Sequence, residues 1–371
     1  MRVAHISDTH LGRGAFQRID PDTGINMREQ SIYDNYLSSI DELIRLKPDL
    51  ILHTGDLFDV VKPKNKAIVV AMEGFNRVSE AGIPVVIIAG NHSMVKTKST
   101  TSPYELFAYS HPDIHCVYQF TYESFEIGDA LVHAVPNMLH PGDYDDEYQK
   151  ITPSPGHTNI LMLHGLAPGI NQRLNTFAEM EVSSTMINDP KIQYVALGHY
   201  HGQVRVSKSA IYSGSLEYLT YGERFDEKGG ILYNGTYTSH IELPHNPMVV
   251  NDPIDCIGLS SSDITNAICH QLEDVTHDRR ASMVHVELNN ILPEQFSAID
   301  FVSVGDAGGD LLHYHIKKNN RTISAEPIVY RELSTINYLD ELERYLEATS
   351  LTPAEKEAVG TYGAQLIRGA L

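Results

Sequence analysis

Five short stretches carry carboxylate, imidazole and amide side chains in patterns that could bind divalent ions. Asp8 and His10 alternate, so both can reach one ion from an extended strand end. Asp56 follows Gly55 and could bridge two ions. Asn91 offers a neutral carbonyl oxygen, with His92 next to it. His164 stands by itself, and His199 and His201, again spaced by two, could serve two ions from one loop. A hydrolytic two-metal site needs such oxygens and imidazoles, with ions roughly 3.5–4 Å apart. Taken singly, each pattern is weak. Asp-x-His is commonly a solvated loop and Gly-Asp a turn, while Gly-Asn-His is rarer but alone could be a helix cap. Gly-His-x-His is a moderate metal signal. All five in one order form a strong joint signal.

The elements that must position these residues are short and apolar. Arg2–Ile6, Leu50–Leu52, Val85–Ile88, Asn159–Leu163 and Tyr194–Leu197 each run directly into one of the five motifs. Runs this short and apolar suit strands buried on both faces. Between them lie helical stripes, one through Ile32, Tyr36, Ile40, Leu43 and Ile44, another through Ile68, Ala71, Met72, Phe75 and Val78. Strands alternating with helices indicate an α/β fold, and ligands in such folds bind beyond the carboxyl ends of the strands. Gly55, Gly90 and Gly198 permit tight turns there.

The texture changes after about residue 208. Ala210–Gly214, Gly230–Tyr233 and Thr238–Leu243 are strand-like, and Pro244, Pro247 and Pro253 mark a boundary. A helix near Ile264–Glu273 and a strand at Met283–Leu288 open a small α+β unit. Ile336, Leu339, Leu342, Tyr345 and Leu346 then form a helical stripe. Thr352-Pro353-Ala354-Glu355 reads as a capping box opening a last helix, which Gly360 and Gly363 weaken by roughly 1 kcal/mol each. Three segments are therefore expected: 1–245, 246–333 and 334–371.

The ordered set Asp-x-His, Gly-Asp-x-x-Asp, Gly-Asn-His, His, Gly-His-x-His resembles the calcineurin-like metallophosphoesterase superfamily. The flanks sharpen this. His5-Ile6-Ser7-Asp8-Thr9-His10-Leu11-Gly12, Thr54-Gly55-Asp56-Leu57-Phe58-Asp59, the segment around Met27-Arg28-Glu29-Gln30 and the run Tyr212-Ser213-Gly214-Ser215 resemble the meiotic-recombination-eleven and SbcD family of DNA double-strand-break repair nucleases, in an archaeal form. The resemblance implies a four-layer αββα core with two mixed sheets, a small α+β cap and a C-terminal helical tail. It implies one ion, usually manganese, at Asp8, His10, Asp56 and His201, and a second at Asp56, Asn91, His164 and His199. His92 would face the scissile phosphate unligated. A thiolate-free O/N ligand set suits manganese or iron better than structural zinc. Two positions depart from common family forms. Ser93 stands where Asp is usual, removing a carboxylate that could orient His92, and Asp59 stands where some members have His.

The 371 residues carry 28 Lys+Arg against 48 Asp+Glu, a formal charge of −20, with 42% hydrophobic residues and 19 His. That apolar fraction excludes wholesale disorder. The charge argues against a generally basic nucleic-acid coat, though not against a local basic site. Arg13, Arg18 and Arg28 follow His10, Lys62, Lys64 and Lys66 follow Asp56, and Lys96 and Lys98 follow His92. These eight could line a phosphate track or could simply be solvated loop residues. No apolar run approaches the roughly 18 residues of a membrane span, and the N-terminus lacks a secretory apolar region. Cys116, Cys256 and Cys269 read as reduced. The expected setting is the cytoplasm, near the nucleoid and away from membranes.

The leading reading is a manganese-dependent DNA exo- and endonuclease working with an SbcC-type SMC-like ATPase. The tail helices would dock either that partner or the chain itself. A homodimer is expected through the helix bearing Val69 and Val70 and through the Tyr104–Tyr109 segment. The alternatives are an esterase for small phosphodiesters or phosphomonoesters, and a scaffold of the same fold. The intact ligand positions count against the scaffold.

Overall fold

The structure is a computed structural model that describes residues 1–94, 101–140, 142–170, 180–320, 338–349 and 351–370. They form two compact units, Met1–Asn320 and Arg321–Leu371. The strands of the first unit are β1 (Val3–Ile6), β2 (Leu50–His53), β3 (Val85–Ile88), β4 (Ile114–Val117), β5 (Glu123–Ile127), β6 (Ala130–Ala134), β7 (Thr158–His164), β8 (Tyr194–Gly198), β9 (Val204–Arg205), β10 (Ala210–Tyr212), β11 (Gly230–Tyr233), β12 (Thr238–Ile241), β13 (Met248–Val250), β14 (Ile254–Asp255), β15 (Met283–Ile291) and β16 (His313–Asn320).

Among the described residues, two six-stranded sheets run β12-β11-β1-β2-β3-β4 and β5-β6-β7-β8-β10-β9. Both are mixed. Strands β1 to β4 are parallel, while β11 is antiparallel to β1. Strands β6, β7, β8 and β10 are parallel, with β5 and β9 antiparallel at the two edges.

Side-chain alternation builds the layers. Val3, Leu50, Leu52, Val86 and Ile88 pack against Val132, Ile160, Met162 and Ala196 of the other sheet. The intervening Ala4, Ile51, Val85 and Ile87 face the helices Met27–Leu46 and Asn65–Glu80, meeting Ile32, Tyr36, Val70 and Phe75. Leu161, Leu163, Val195 and Leu197 cover the far side of the second sheet, against Met186 and Ile187 of the helix Ser184–Ile187. This is the expected αββα sandwich. A strand covered on both faces is apolar at most positions, which is why these strands read as largely apolar runs.

A third, four-stranded sheet follows. Strand β15 pairs in parallel with β13 and β14 on one edge and with β16 on the other. The helix Ser261–Glu273 covers it through Ile264, Ile268 and Leu272, and opens on a capping box between Ser260 and Asp263. Polar contacts tie this sheet to the sandwich. The Tyr221 hydroxyl meets His313 Nδ1 at 2.9 Å, and the Arg18 guanidinium donates to the carbonyls of Leu311 and Gly309.

In the second unit, the helices Tyr338–Ala348 and Pro353–Ala370 pack on each other. Thr352 and Glu355 form the expected capping box. The two glycines expected to weaken the last helix have a packing use. A Cβ at Gly360 would sit 3.2 Å from Leu346, and one at Gly363 would sit 2.8 Å from Leu342. Ile336 and residues 321–333 lie outside the described residues.

Candidate metal centre

All five motifs leave strands at one rim. Asp8 and His10 follow β1, Asp56 follows β2, and Asn91 and His92 follow β3. From the second sheet, His164 ends β7, and His199 and His201 follow β8. The turns are unusually bent. Asp8, His10, Asp56 and His199 all have positive φ, at 50°, 45°, 50° and 98°. Such conformations cost of order 1–3 kcal/mol each and persist where surroundings over-determine them. Backbone bonds do so here: Asp8 N–H donates to Gly55 O and His10 N–H to Asp56 O, both at 3.0 Å.

One cluster forms around Asp8, His10 and His201. His10 Nε2 and His201 Nε2 lie 3.9 and 4.0 Å from Asp8 Oδ1. Asp8 Oδ1 and His10 Nε2 are buried without any hydrogen-bond partner. Two orphaned buried polar atoms aimed at one point are costly unless a cation satisfies them.

A second cluster gathers Asp56, Asn91, His164 and His199. Asn91 Oδ1 is 2.9 Å from His164 Nε2 and 3.0 Å from His199 Nδ1. Asp56 Oδ2 is 3.3 Å from His164 Nε2. Adjacent ligands of an octahedral ion with bonds of about 2.1 Å stand about 3.0 Å apart, so this spacing suits a coordination shell. The residues present therefore fit a pair of divalent ions.

Three imidazoles are oriented from behind. His10 Nδ1 donates to Asp59 Oδ1 at 3.1 Å, His201 Nδ1 to Glu223 Oε1 at 3.1 Å, and His164 Nδ1 to the Thr54 carbonyl at 2.7 Å. Since the acceptors carry no proton, each ring keeps its proton on Nδ1, and in its neutral form it presents the Nε2 lone pair to the cluster. Lys228 Nζ, 2.7 Å from Glu223, completes that arm. Burial pushes the Glu223 carboxyl up, but the His201 bond and Lys228 outweigh it and hold the group well below the usual range. Burial likewise raises Asp8 and Asp56, yet nearby imidazoles, His164 first, hold both below the carboxylate range. The same interaction seen from His164 lifts its imidazole to about 9 against the pull of burial. Concentrated negative charge at the rim calls for a cation.

His92 is exposed, and its Nδ1 donates to the Asp59 carbonyl at 2.9 Å. That contact orients His92, so the missing carboxylate at Ser93 does not leave the ring unsupported. Ser93 is buried. It accepts the Gly90 N–H at 3.2 Å and meets the Tyr104 hydroxyl at 3.1 Å. Asp59 has two uses, its carboxylate for His10 and Arg13 and its carbonyl for His92.

The residues of the expected basic track fall into different surroundings. Arg28 is buried, its guanidinium engaged by Glu217, Asn246 and the Tyr218 carbonyl. It clamps the polypeptide and faces no phosphate. Arg18 is spent on the third sheet, Lys64 pairs with Glu29, and Arg13 binds Asp59. Lys62 and Lys66 are exposed, and Lys96 and Lys98 lie outside the described residues. The residues that sequence reasoning passed over are Glu223, Lys228 and the Thr54 carbonyl. Glu223 and Lys228 sit in no motif, and Thr54, though inside the Thr54–Asp59 run, acts through a backbone carbonyl, which has no sequence signal at all.

Residues 1–203 match the calcineurin-like phosphoesterase family. The chain belongs to that family. Within it, the likeness is to archaeal Mre11 proteins, named for DNA double-strand break repair. Identity is 30% to the Methanocaldococcus jannaschii protein, over 62% of this chain and 60% of that one. It is 34% to the Sulfurisphaera tokodaii protein, over 54% and 49%. A longer match to the Sulfolobus acidocaldarius protein, at 25%, covers 97% of this chain and 94% of its relative. The first two matches thus span about half to three-fifths of their relatives' lengths.

Proposed function

We propose that the chain is a manganese-dependent DNA nuclease of double-strand-break repair, acting on duplex ends as an exonuclease and on single strands as an endonuclease. The convergence of the orphaned Asp8 Oδ1 and His10 Nε2 with the Asn91 cluster carries this reading, and the names of the archaeal relatives supply the substrate class. Asp8, His10, Asp56 and His201 would hold one ion, and Asp56, Asn91, His164 and His199 the other. The ions would polarise the phosphodiester and activate the attacking water. Asp59, Glu223 and Thr54 keep the Nε2 atoms of His10, His201 and His164 pointed at the site. His92 uses its Nδ1 proton on Asp59 O, so only its imidazolium form carries a proton on Nε2. In that form it would stabilise the phosphate and protonate the leaving oxygen. Arg13, Lys62, Lys64, Lys66, Lys96 and Lys98 remain the candidate DNA contacts, with Arg18 and Arg28 serving structure.

Two partner surfaces belong to the same reading. Tyr345, Val359, Tyr362 and Leu366 are exposed on the tail helices, which would dock an SbcC-type ATPase. Val69, Leu106 and Tyr109 are exposed on the two helices expected to join a homodimer. Val70, expected beside Val69 on that surface, is instead buried in the core. A dimer test therefore uses Val69→Glu, which should shift sedimentation to monomer.

The deciding experiment is cleavage of linear duplex DNA with manganese, with and without the ATPase, beside a chromogenic diester. Preference for DNA supports the proposal. Loss of activity in His92→Ala with both ions retained assigns His92. Absence of DNA cleavage under every condition overturns the nuclease reading.

A further inference from the structure

His5 lies two residues from Val3 on β1, so the alternation that sends Val3 into the layer between the large sheets sends His5 there too. An imidazole in that apolar layer must have both nitrogens satisfied. Its Nδ1 is 2.8 Å from the Tyr194 hydroxyl, and its Nε2 is 2.9 Å from Thr54 Oγ1. Burial, helped by His53, pushes the ring down to about 3, so it is neutral, with one proton and one lone pair for the two contacts.

Thr54 is the next link. Its carbonyl accepts the His164 Nδ1 proton at 2.7 Å, and its N–H donates to the Ile6 carbonyl at 3.0 Å. Gly198 packs so tightly on it that a Cβ there would overlap the Thr54 carbonyl oxygen. A continuous polar path therefore crosses the sandwich. It runs from Tyr194 on β8 to His5 on β1, to Thr54 after β2, and to His164 at the end of β7. Side chains around this path have at most 1% exposure, so His5 cannot touch substrate.

We propose that His5 is a positioning residue for His164, holding Thr54 so that the Thr54 carbonyl fixes the imidazole of the second ion position. Tyr194 anchors His5 from the other sheet. The inference rests on the two-metal reading, and its test measures metal, not turnover.

Manganese stoichiometry and affinity would be measured by calorimetry and electron paramagnetic resonance on the full chain, with circular dichroism as the fold control. The wild type should take up two ions. His5→Phe and Thr54→Val should keep one ion at unchanged affinity and bind the other roughly 10- to 100-fold more weakly. Thr54→Ser, which restores the hydroxyl, should restore the second ion. Thr54→Val is nearly isosteric and decides the matter if His5→Phe fails to fold. A folded Thr54→Val protein that binds both ions like the wild type overturns the positioning role. A wild type that binds no ion overturns the two-metal reading itself, and the positioning role with it.

Discussion

Each imidazole of the candidate metal centre with an anchored far nitrogen depends on a group set back from the rim. Asp59 is the sharpest case, since its side chain serves His10 and its backbone serves His92. Burial pushes the Asp59 carboxyl up, but the His10 bond and Arg13 hold it below the usual carboxylate range. It is therefore ionised throughout the neutral range. Asp59→Asn removes the charge and leaves the carbonyl in place. Manganese affinity at the His10 position should fall roughly 10- to 100-fold, by an amount independent of pH near neutrality, as read by metal titration. Arg28 provides the opposite kind of residue. Its buried pair with Glu217 spans 3.0 Å, with each side chain 2% exposed. Removing one partner strands a buried charge, which costs about 3–5 kcal/mol. Arg28→Met should show that loss in urea unfolding. The salt dependence of DNA binding by the folded fraction should stay as in the wild type, because no phosphate contact is lost.

Helix contacts turn on two glycines with opposite expectations. Gly74 lies in the helix Asn65–Glu80, and a Cβ there would stand 2.7 Å from the Tyr36 ring, which is buried in the core. Gly74→Ala gains about 1 kcal/mol of helix propensity and loses about 1–3 kcal/mol to overpacking, so a net loss is expected. At Gly363 the obstacle is the tip of Leu342, 2.8 Å away, and a leucine tip can rotate. Gly363→Ala should therefore increase tail helicity, measured by circular dichroism on the full chain. The same elements show what the sequence could reveal. Strands β1, β2, β3, β7 and β8 were visible because burial on both faces makes each an apolar run ending in a ligand motif. The edge strand β5, Glu-Ser-Phe-Glu-Ile, has no such run, since its face to solvent carries charge. The return of β11 to pair with β1 joins residues some 230 positions apart, with β12 added on its outer edge, and no local pattern encodes this. At the site, the candidate ligands that the fold gathers at one rim were legible by type and spacing. Glu223 became visible only when the fold placed it 3.1 Å from His201.

At the scale of the molecule, a net charge of −20 sits on a protein proposed to grip a polyanion. Ions bound at the rim would offset the charge of Asp8 and Asp56 locally, but they leave the acidic surface as it is. Like charges on that surface repel over a Debye length of about 10 Å at 0.1 M salt and about 3 Å at 1 M. Self-repulsion destabilises the compact state, so screening should stabilise it. The unfolding midpoint should therefore rise with potassium chloride between these limits. The opposite trend is expected for DNA binding, because the phosphate contacts proposed for Lys62 and Lys66 would weaken as salt rises. The two dependences separate surface charge from site charge. Urea unfolding across a salt series, run with manganese and again with chelator, measures the first. A rise of similar slope in both sets places the repulsion on the outer surface. A rise confined to the chelated protein places it at the metal rim, where Asp8 and Asp56 lie buried. A midpoint that does not move with salt in either set would show that the surface acids are already neutralised by their neighbours, and that the −20 imposes no cost on the fold.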